Sequence, residues 1–306
     1  MTHPSRPVLL HVGTVKTGST SLQAYLQQQQ AWLAAQGWAY LPAPGRRDRR
    51  DLAACCIALG DERDELLRSE GLLAPDQRLG HRQQVRLQLQ AQLAALPAGH
   101  GVILSSEHFH LSLQSPAEIT TLRQLLAELG LGPVQVVIYL REPVGLMESL
   151  YSTMVRSGDQ RPLPADPADP FVALICDHGA SLERWRAVFG AEAVQARAFP
   201  PPGGIGHDLL GLMAGVQGPF PLEPRRQSNR GLRPWALALL RWLNQRLPWF
   251  TPQSPLALVR GCRRVLDTAL SHGASGSYRM PAAQRRRYSE RYGSAYQQLL
   301  EREGLG

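Results

Sequence analysis

Lysine is nearly absent from this sequence: among the 33 basic residues of its 306-residue chain, Lys16 is the one lysine and the other 32 are arginine. Long apolar runs are also lacking, since none reaches the roughly 18 residues that a membrane-spanning helix requires. The first seven residues, MTHPSRP, contain no apolar core of the kind that a secretory signal needs. We therefore expect a cytoplasmic protein with no transmembrane segment.

Cysteine is scarce as well, with four residues in the chain: Cys55, Cys56, Cys176 and Cys262. Their spacing matches no metal-ligand pattern, and the adjacent pair is poorly placed for a disulfide framework. We expect free thiols in a reducing compartment and no metal site. A hydrophobic content of 43% and a charged content of 19% are those of an ordinary globular protein, and the length allows one large domain or at most two small ones, of which we favour one.

The chain is basic, with a formal net charge of +8 at pH 7, which favours anionic partners without identifying them. Arginine clusters occur at residues 46–50 and 285–287. Neither cluster is interleaved with the aromatic residues that stack on single-stranded nucleic acid, and no zinc-finger or helix-turn-helix signature is present. We therefore predict no nucleic-acid partner and interpret both clusters as solvated surface.

Short apolar runs alternate with helical patterns along the chain. The apolar runs predict strands at residues 7–12, 101–106, 134–140 and 193–199. A capping box formed by Ser115 and Glu118 predicts a helix between the second and third strands. Because parallel neighbours need helical crossovers, this order predicts an α/β fold with a doubly wound, mainly parallel sheet flanked by helices. The strand ends would then share one rim.

We expect this fold to form a single domain over residues 1–306. The segment 159–170 contains four prolines and three aspartates, which is typical of a loop or lid. Helical patterns at residues 235–244 and 284–303 predict a helical C-terminal region over 233–306.

The segment after the first predicted strand has the composition of an anion-binding loop. Small residues between a buried strand and a helix point backbone N–H groups into a concavity, where the helix dipole adds positive potential. The loop reads GTVKTGST, and its candidate ligand residues are Gly13, Lys16, Thr17, Gly18, Ser19 and Thr20. In the common nucleoside-triphosphatase loop the lysine follows the second glycine. Here Lys16 precedes Gly18 by two residues, which disfavours an ATPase or GTPase.

Residues 11–23, HVGTVKTGSTSLQ, resemble the 5′-phosphosulfate-binding loop of sulfotransferases that use 3′-phosphoadenosine 5′-phosphosulfate (PAPS). Bacterial members carry H-[IV]-G-x-x-K-[TS]-G-[TS]-[TS]-x-[LI]-Q, and every fixed position matches, with Val15 where proline is frequent. The resemblance implies the phosphate-loop (P-loop) sulfotransferase fold, similar to nucleoside triphosphate hydrolases, with PAPS as co-substrate. It also implies that Lys16 stabilises the departing phosphate oxygen, which suits a compact ammonium better than a broad guanidinium.

Residues 140–152, LREPVGLMESLYS, resemble the 3′-phosphate-binding segment of the same family. That segment reads R-[DE]-P, with a serine eight residues after the arginine and a tyrosine two residues later; Arg141, Pro143, Ser149 and Tyr151 keep this spacing. The resemblance implies that Arg141 and Ser149 bind the 3′-phosphate. Leu146 stands where the family often has another basic residue.

Candidate bases follow the second predicted strand in the sequence SSEHFH. An acceptor hydroxyl must lose its proton as it attacks sulfur, so a carboxylate or imidazole is chemically suitable there. Relatives place a catalytic glutamate or histidine near this strand end, which makes Glu107 the first candidate and His108 the alternative. We expect His110 to be a loop histidine and His11 a core residue.

Two further segments carry weaker signals. SNRGL, at residues 228–232, resembles a bacterial segment that follows the fourth strand, so Asn229 and Arg230 are candidate nucleotide contacts, although a helix N-cap also explains Asn229. LPWFTP, at residues 247–252, fits buried aromatic packing better than an acceptor-facing lid.

Together these patterns predict transfer of the sulfuryl group from PAPS to a hydroxyl acceptor, with no metal required. The bacterial branch of the family implies a carbohydrate or glycolipid acceptor. One alternative is a small-molecule kinase using ATP and magnesium, which the missing G-K-[ST] order disfavours. The other is a non-catalytic nucleotide- or anion-binding protein.

Overall fold

A computed structural model describes residues 5–58, 65–160, 165–216, 218–223, 232–252, 254–271 and 278–306. The candidate contacts Asn229 and Arg230, and residues 161–164 of the predicted lid, lie outside these described residues. Within them, no helix is both long enough and apolar enough to cross a membrane.

The described residues form one five-stranded parallel sheet in the order β2-β3-β1-β4-β5. Its strands are β1 (Arg6–Val12), β2 (Trp38–Tyr40), β3 (Gly101–Ser106), β4 (Leu131–Arg141) and β5 (Val194–Phe199). The four predicted strands are confirmed, and the three-residue strand β2 is an addition at the edge. The α/β fold with a parallel, helix-flanked sheet is therefore confirmed at this level.

The described part of the chain also contains fifteen α-helices. They are α1 (Ser19–Gln28), α2 (Gln30–Ala35), α3 (Arg50–Cys56), α4 (Glu65–Ser69), α5 (Pro75–Ala94), α6 (His108–Leu111), α7 (Pro116–Glu128), α8 (Pro143–Arg156), α9 (Pro170–Cys176), α10 (His178–Phe189), α11 (Ile205–Gly211), α12 (Pro234–Arg246), α13 (Ala257–Ser271), α14 (Ala282–Tyr288) and α15 (Ser294–Arg302). Helix α7 begins with the predicted capping box, because the Ser115 hydroxyl accepts from the Glu118 N–H while Glu118 accepts from the Ser115 N–H.

Both faces of the central strands are buried, which explains their continuous apolar sequences. Strand β1 pairs with β3 through Leu9 and Ile103, and with β4 through Leu10 and Val136. Leu9 and Ile103 face a cluster built with residues of α1, α2 and α11. Leu10 and Val136, on the opposite face of the sheet, are equally buried. This arrangement holds the ends of β1 and β3 rigidly side by side.

The chain divides into two compact units. The first takes its described residues from Met1–Leu140, His178–Pro224 and Leu300–Gly306 and contains the sheet. The second takes them from Arg141–Asp177 and Arg225–Leu299, and its described residues are mainly helical.

The second unit has its own apolar cluster, formed by residues of α8 and α12. Val155, Leu237 and Leu240 lie at its centre, and Asn244 donates a hydrogen bond from Nδ2 to the Val155 carbonyl at 2.8 Å. Tyr151 stacks on Tyr278, with ring centroids 3.9 Å apart, so this tyrosine of the second motif is a core residue.

One expectation for the second unit is wrong. The 247–252 segment does not form buried aromatic packing, because Trp249 is 56% exposed. Phe250 takes the inner position instead, with the Arg263 guanidinium 5.8 Å from its ring centroid. Trp249 meets the Phe250 ring edge-on, at a centroid distance of 6.0 Å.

Candidate functional site

The candidate site lies where β1 and β3 end, at one edge of the sheet. The Gly13 N–H donates to the Ser106 carbonyl at 3.0 Å, which extends the pairing of the two strands by one residue. The chain then leaves β1 as the 13–20 loop and leaves β3 at Glu107. The carboxyl ends of parallel strands are the usual position of ligand sites in open α/β sheets.

Two buried threonines fix the shape of the 13–20 loop. The Thr14 hydroxyl donates to the Tyr139 carbonyl of β4, and the Thr17 hydroxyl donates to the Thr14 carbonyl at 2.7 Å. Because both hydroxyls are used inside the protein, Thr17 has its backbone N–H to offer an anion rather than its side chain.

Lys16 has a left-handed backbone conformation, with φ of +63°, and is the one described residue other than glycine with positive φ. Such a conformation costs roughly 1–2 kcal/mol for a residue with a Cβ, and it is retained mainly where function requires it. Gly18, two residues later, has φ of +81° without that cost. The loop therefore places a strained lysine at a position that glycine would occupy more easily.

Helix α1 begins at Ser19 directly after Gly18, which has no side chain to cap it. The first N–H groups of any α-helix lack partners within the helix, and the helix dipole makes that end positive. Helix α8 differs, because the Glu142 carboxylate accepts from the Val144 and Gly145 N–H groups at 2.8 and 2.6 Å. The N-terminus of α1 suits an external anion, whereas that of α8 already holds a carboxylate.

Glu107 lies against the start of the 13–20 loop. A Cβ added at Gly13 would lie 3.1 Å from Glu107 Cγ and 2.6 Å from Ser19 Oγ, so glycine is required for this close approach. Burial raises the pKa of the Glu107 carboxyl above its usual value of 4.5, while the charge of Lys16 and the nearby Ser19 hydroxyl act in the opposite direction. The structure thus brings together Gly13, Lys16, Ser19 and Glu107.

The nearby histidines differ in their surroundings. His108 is the half-buried first residue of α6, and its backbone N–H donates to Ser106 Oγ at 3.2 Å. His11 and His110 are fully buried, and burial lowers the pKa of each to about 3, so both are neutral at physiological pH. His110 is therefore an interior residue rather than the loop histidine that the sequence predicted.

His11 is a core residue, as predicted, and it belongs to a buried polar group with two others. Its Nδ1 lies 2.8 Å from Ser105 Oγ, which also accepts from Gln23 Nε2 at 3.1 Å. These contacts connect β1, β3 and α1. His11 and Gln23, the first and last fixed positions of the first motif, thus help to connect β1, β3 and α1, the elements next to the 13–20 loop.

The second-motif residues belong to the other unit. Arg141 is the last residue of β4 and is half-buried; burial lowers the pKa of its guanidinium, against the charges of Glu142 and Glu148. Ser149 lies two turns into α8, where its carbonyl accepts from Thr153 Oγ1 at 3.4 Å. Leu146, at the position where the family often has a basic residue, is fully buried and supplies no charge.

Sequence reasoning missed the segment between β2 and α3. Asp48 is buried and pairs with Arg50 at 3.0 Å, and both charges act on the pKa of Glu107. Arg49 is also buried, with Nη2 3.0 Å from Asp51 Oδ2, so this arginine cluster is not simply solvated surface. The signal was the pattern DRRD, which supplies a carboxylate for each inner arginine.

An open pocket of about 500 Å³ lies beside this segment, at the carboxyl end of β2. Tyr40, Arg46, Arg47 and Gln92 contribute to its walls. Gln92 is fixed by hydrogen bonds with Arg49 and with the Pro42 carbonyl, at 2.9 and 3.0 Å. The pocket offers hydrogen-bonding groups and positive charge.

The described residues contain no group of three or more histidine, cysteine or acidic side chains placed to hold a metal ion. The chain matches none of the protein-family models and none of the curated proteins with which it was compared.

Proposed function

We propose that the protein is a sulfotransferase that moves the sulfuryl group of PAPS to a hydroxyl acceptor. One observation carries the proposal: the single lysine of the chain occupies a strained position in the 13–20 loop, and a partly buried carboxylate, that of Glu107, lies against the same loop. A glycine turn that merely joined a strand to a helix would need neither feature.

In this proposal the 5′-phosphosulfate binds to the 13–20 loop and to the N-terminus of α1, where Gly18, Ser19 and Thr20 offer backbone N–H groups. From the sequence resemblance alone, Arg141 and Ser149 are the proposed ligands of the 3′-phosphate, a group that a guanidinium can bind by a bidentate contact. Asn229 and Arg230 are proposed as further contacts on the basis of the sequence resemblance alone.

The reaction is an in-line displacement at sulfur. The acceptor oxygen forms a bond to sulfur while the bond from sulfur to the bridging phosphate oxygen breaks. Glu107 takes the proton of the acceptor hydroxyl, and its raised pKa makes it a better base than an ordinary carboxylate. The Lys16 ammonium stabilises the negative charge that develops on the bridging oxygen of the departing adenosine 3′,5′-bisphosphate.

The pocket beside Tyr40 is the proposed acceptor site. The segment that lines it continues into Asp48 and Arg50, which act on the Glu107 carboxyl. Its glutamine, tyrosine and arginine side chains suit a polyhydroxylated acceptor, such as a carbohydrate or the headgroup of a glycolipid.

Calorimetric titration with PAPS, adenosine 3′,5′-bisphosphate and ATP with magnesium tests the nucleotide. We expect the two 3′-phosphorylated nucleotides to bind and ATP to bind at least about tenfold more weakly, because ATP lacks the 3′-phosphate for Arg141. A preference for ATP would support the kinase alternative and overturn this proposal.

Transfer of radiolabelled sulfate from PAPS to a panel of sugars and glycolipids tests the reaction. Lys16→Arg should lower transfer by about 100-fold or more while the nucleotide still binds, since the point charge at the leaving oxygen is lost. Glu107→Gln should have a similar effect and His108→Gln a small one; the reverse order would make His108 the base. Nucleotide binding without transfer to any acceptor would favour the non-catalytic alternative.

A further inference from the structure

Three of the six tryptophans of the chain are exposed in the second unit. Trp235, Trp242 and Trp249 have exposed fractions of 58%, 54% and 56%. A large aromatic side chain that remains half exposed leaves apolar surface in water, and such surface in a cluster marks a contact region.

Two of these tryptophans, Trp235 and Trp242, lie on one side of α12. At 100° per residue, Trp235, Leu239 and Trp242 lie within an arc of about 60°, and Arg246 falls inside the same arc. We call these four residues the tryptophan stripe. The opposite side of the helix is occupied by Ala236, Leu237 and Leu240, which are buried in the apolar cluster of the unit. Helix α12 is thus apolar on its outer side as well as its inner side.

Helix α13 repeats this arrangement. Leu266 and Leu270 pack against the same apolar cluster, while Leu258 and Val265 are 79% and 70% exposed. Cys262 lies between these two on the exposed face. Two consecutive helices therefore carry apolar outer faces around a shared core.

The charge of this region is mainly positive. From Leu232 to Ser271 the sequence contains six arginines and one acidic residue, Asp267, which pairs with Arg156 at 2.6 Å. Arg246 and Arg264 are exposed beside the apolar side chains. A second copy of the same face would place arginines against arginines, so self-association through it is disfavoured electrostatically.

We propose that the outer faces of α12 and α13 bind an anionic lipid surface. Tryptophan favours the boundary between headgroups and acyl chains, and arginine pairs with lipid phosphates while its stem lies along apolar surface. The helices would lie in the plane of the interface and not cross it, since each also buries an inner face in the protein. This inference is independent of the catalytic proposal.

Co-sedimentation with vesicles tests the inference. We expect binding to phosphatidylcholine vesicles that contain about one third phosphatidylglycerol, at least about tenfold weaker binding to pure phosphatidylcholine, and weakening by salt. Trp235→Ser with Trp242→Ser should lower binding about tenfold or more. The matched control is Leu79→Ser with Leu87→Ser, which removes exposed apolar side chains from α5 and should leave binding unchanged.

A second pair of variants isolates the charge. Arg246→Gln with Arg264→Gln should weaken binding to the anionic vesicles, whereas Arg68→Gln with Arg286→Gln removes the same net charge from other exposed positions and should have a smaller effect. Equal effects of the two pairs would mean that net charge alone causes vesicle binding, and would overturn the proposed surface.

Cys262 provides an independent readout. It is the exposed cysteine of the four, and burial raises the pKa of Cys55 to about 12, so a polarity-sensitive fluorophore should label Cys262 selectively. Its emission should rise and shift to the blue on adding the anionic vesicles. An unchanged emission would overturn the lipid proposal. So would a dimer in light scattering that becomes monomeric when Trp235→Ser and Trp242→Ser are introduced, because the surface would then bind a second copy of the chain.

Discussion

The strain at Lys16 gives a prediction about stability that is separate from activity. Because φ is +63°, the Lys16→Gly protein should have a free energy of unfolding about 1 kcal/mol higher than that of the Lys16→Ala protein, the reverse of the usual order of these two residues. Urea unfolding of Lys16→Gly and Lys16→Ala measures the difference. Under the proposed function both variants should also lose transfer, since both lack the ammonium.

The matched control is Gly80 in α5, where a Cβ would meet nothing within 4 Å. Gly80→Ala should raise stability by roughly 0.5–1 kcal/mol, as expected for a helix interior. If alanine were the more stable residue at both positions, the left-handed conformation of Lys16 would be contradicted.

The raised pKa of Glu107 predicts a pH-dependent effect on folding. A carboxyl whose pKa is higher in the folded chain binds more protons when folded, so it lowers stability as pH rises from the unfolded value through the folded one. Glu107→Gln should therefore unfold at higher urea concentration than the parent at about pH 8, and the difference should shrink towards about pH 4.

The exposed Glu128 on α7 supplies the comparison for this experiment. Its carboxylate pairs with Arg86 at 2.9 Å, and both side chains are about half exposed. Glu128→Gln should change the urea midpoint by a similar small amount at both pH values. A Glu107→Gln protein that is less stable than the parent at about pH 8 would show that the carboxylate stabilises the fold.

Residue identity predicted where the 13–20 loop lies but not which residues pack against it. The sequence places Lys16 and Gly18 in a loop after a strand, and the structure keeps them there. The sequence could not show that Glu107 lies against Gly13. These two residues are 94 positions apart in the chain, and the distance between them depends on the register of β1 and β3. Nor could it separate buried Arg49 from exposed Arg47, since both have the same chemistry.

At the scale of an element, the segment that leads from β2 into α3 is fixed by a buried ion pair. The Arg49 guanidinium has no exposed surface, contacts Asp51 at 3.0 Å and donates to Gln92 Oε1 at 2.9 Å. Asp51→Ala would leave this cation buried without its carboxylate, and we expect a loss of about 3–5 kcal/mol in the free energy of unfolding. Chemical denaturation measures the loss.

A surface pair is the control for that change. Glu128→Ala removes the exposed partner of Arg86 and should cost less than about 1 kcal/mol. Similar losses for the two variants would mean that Arg49 is hydrated or finds another partner in the folded protein.

Helices and strands could be predicted where a sequence pattern is compatible with one structure only. The run VIL in β3 is apolar throughout, and both faces of that strand are buried, so the pattern and the structure agree. Strand β2 has three residues, too few to show a period. In α12 apolar residues occur on every side, so the sequence predicted a helix but could not show that Leu237 is inside and Trp242 outside.

At the scale of the whole molecule, alternation of strands and helices predicted the parallel α/β sheet because parallel strands need crossovers. The division into two units was not visible in the sequence, since the chain passes from the first unit to the second and back twice. Such a division depends on contacts between distant segments. Composition and local pattern do not encode those contacts directly.

Net charge is the other property of the whole molecule, and it predicts how the nucleotide of the proposed function would associate. With a formal charge of +8, the protein should attract adenosine 3′,5′-bisphosphate over several ångströms, an attraction that salt screens. Stopped-flow binding should show an association rate that falls several-fold between about 0.02 and 0.3 M salt, with a dissociation rate that changes much less. Uncharged adenosine is the control ligand, and its association should not respond to salt. If salt changed only the dissociation rate, the salt dependence would come from direct contacts such as the proposed one with Arg141 and not from the electrostatic field of the whole molecule.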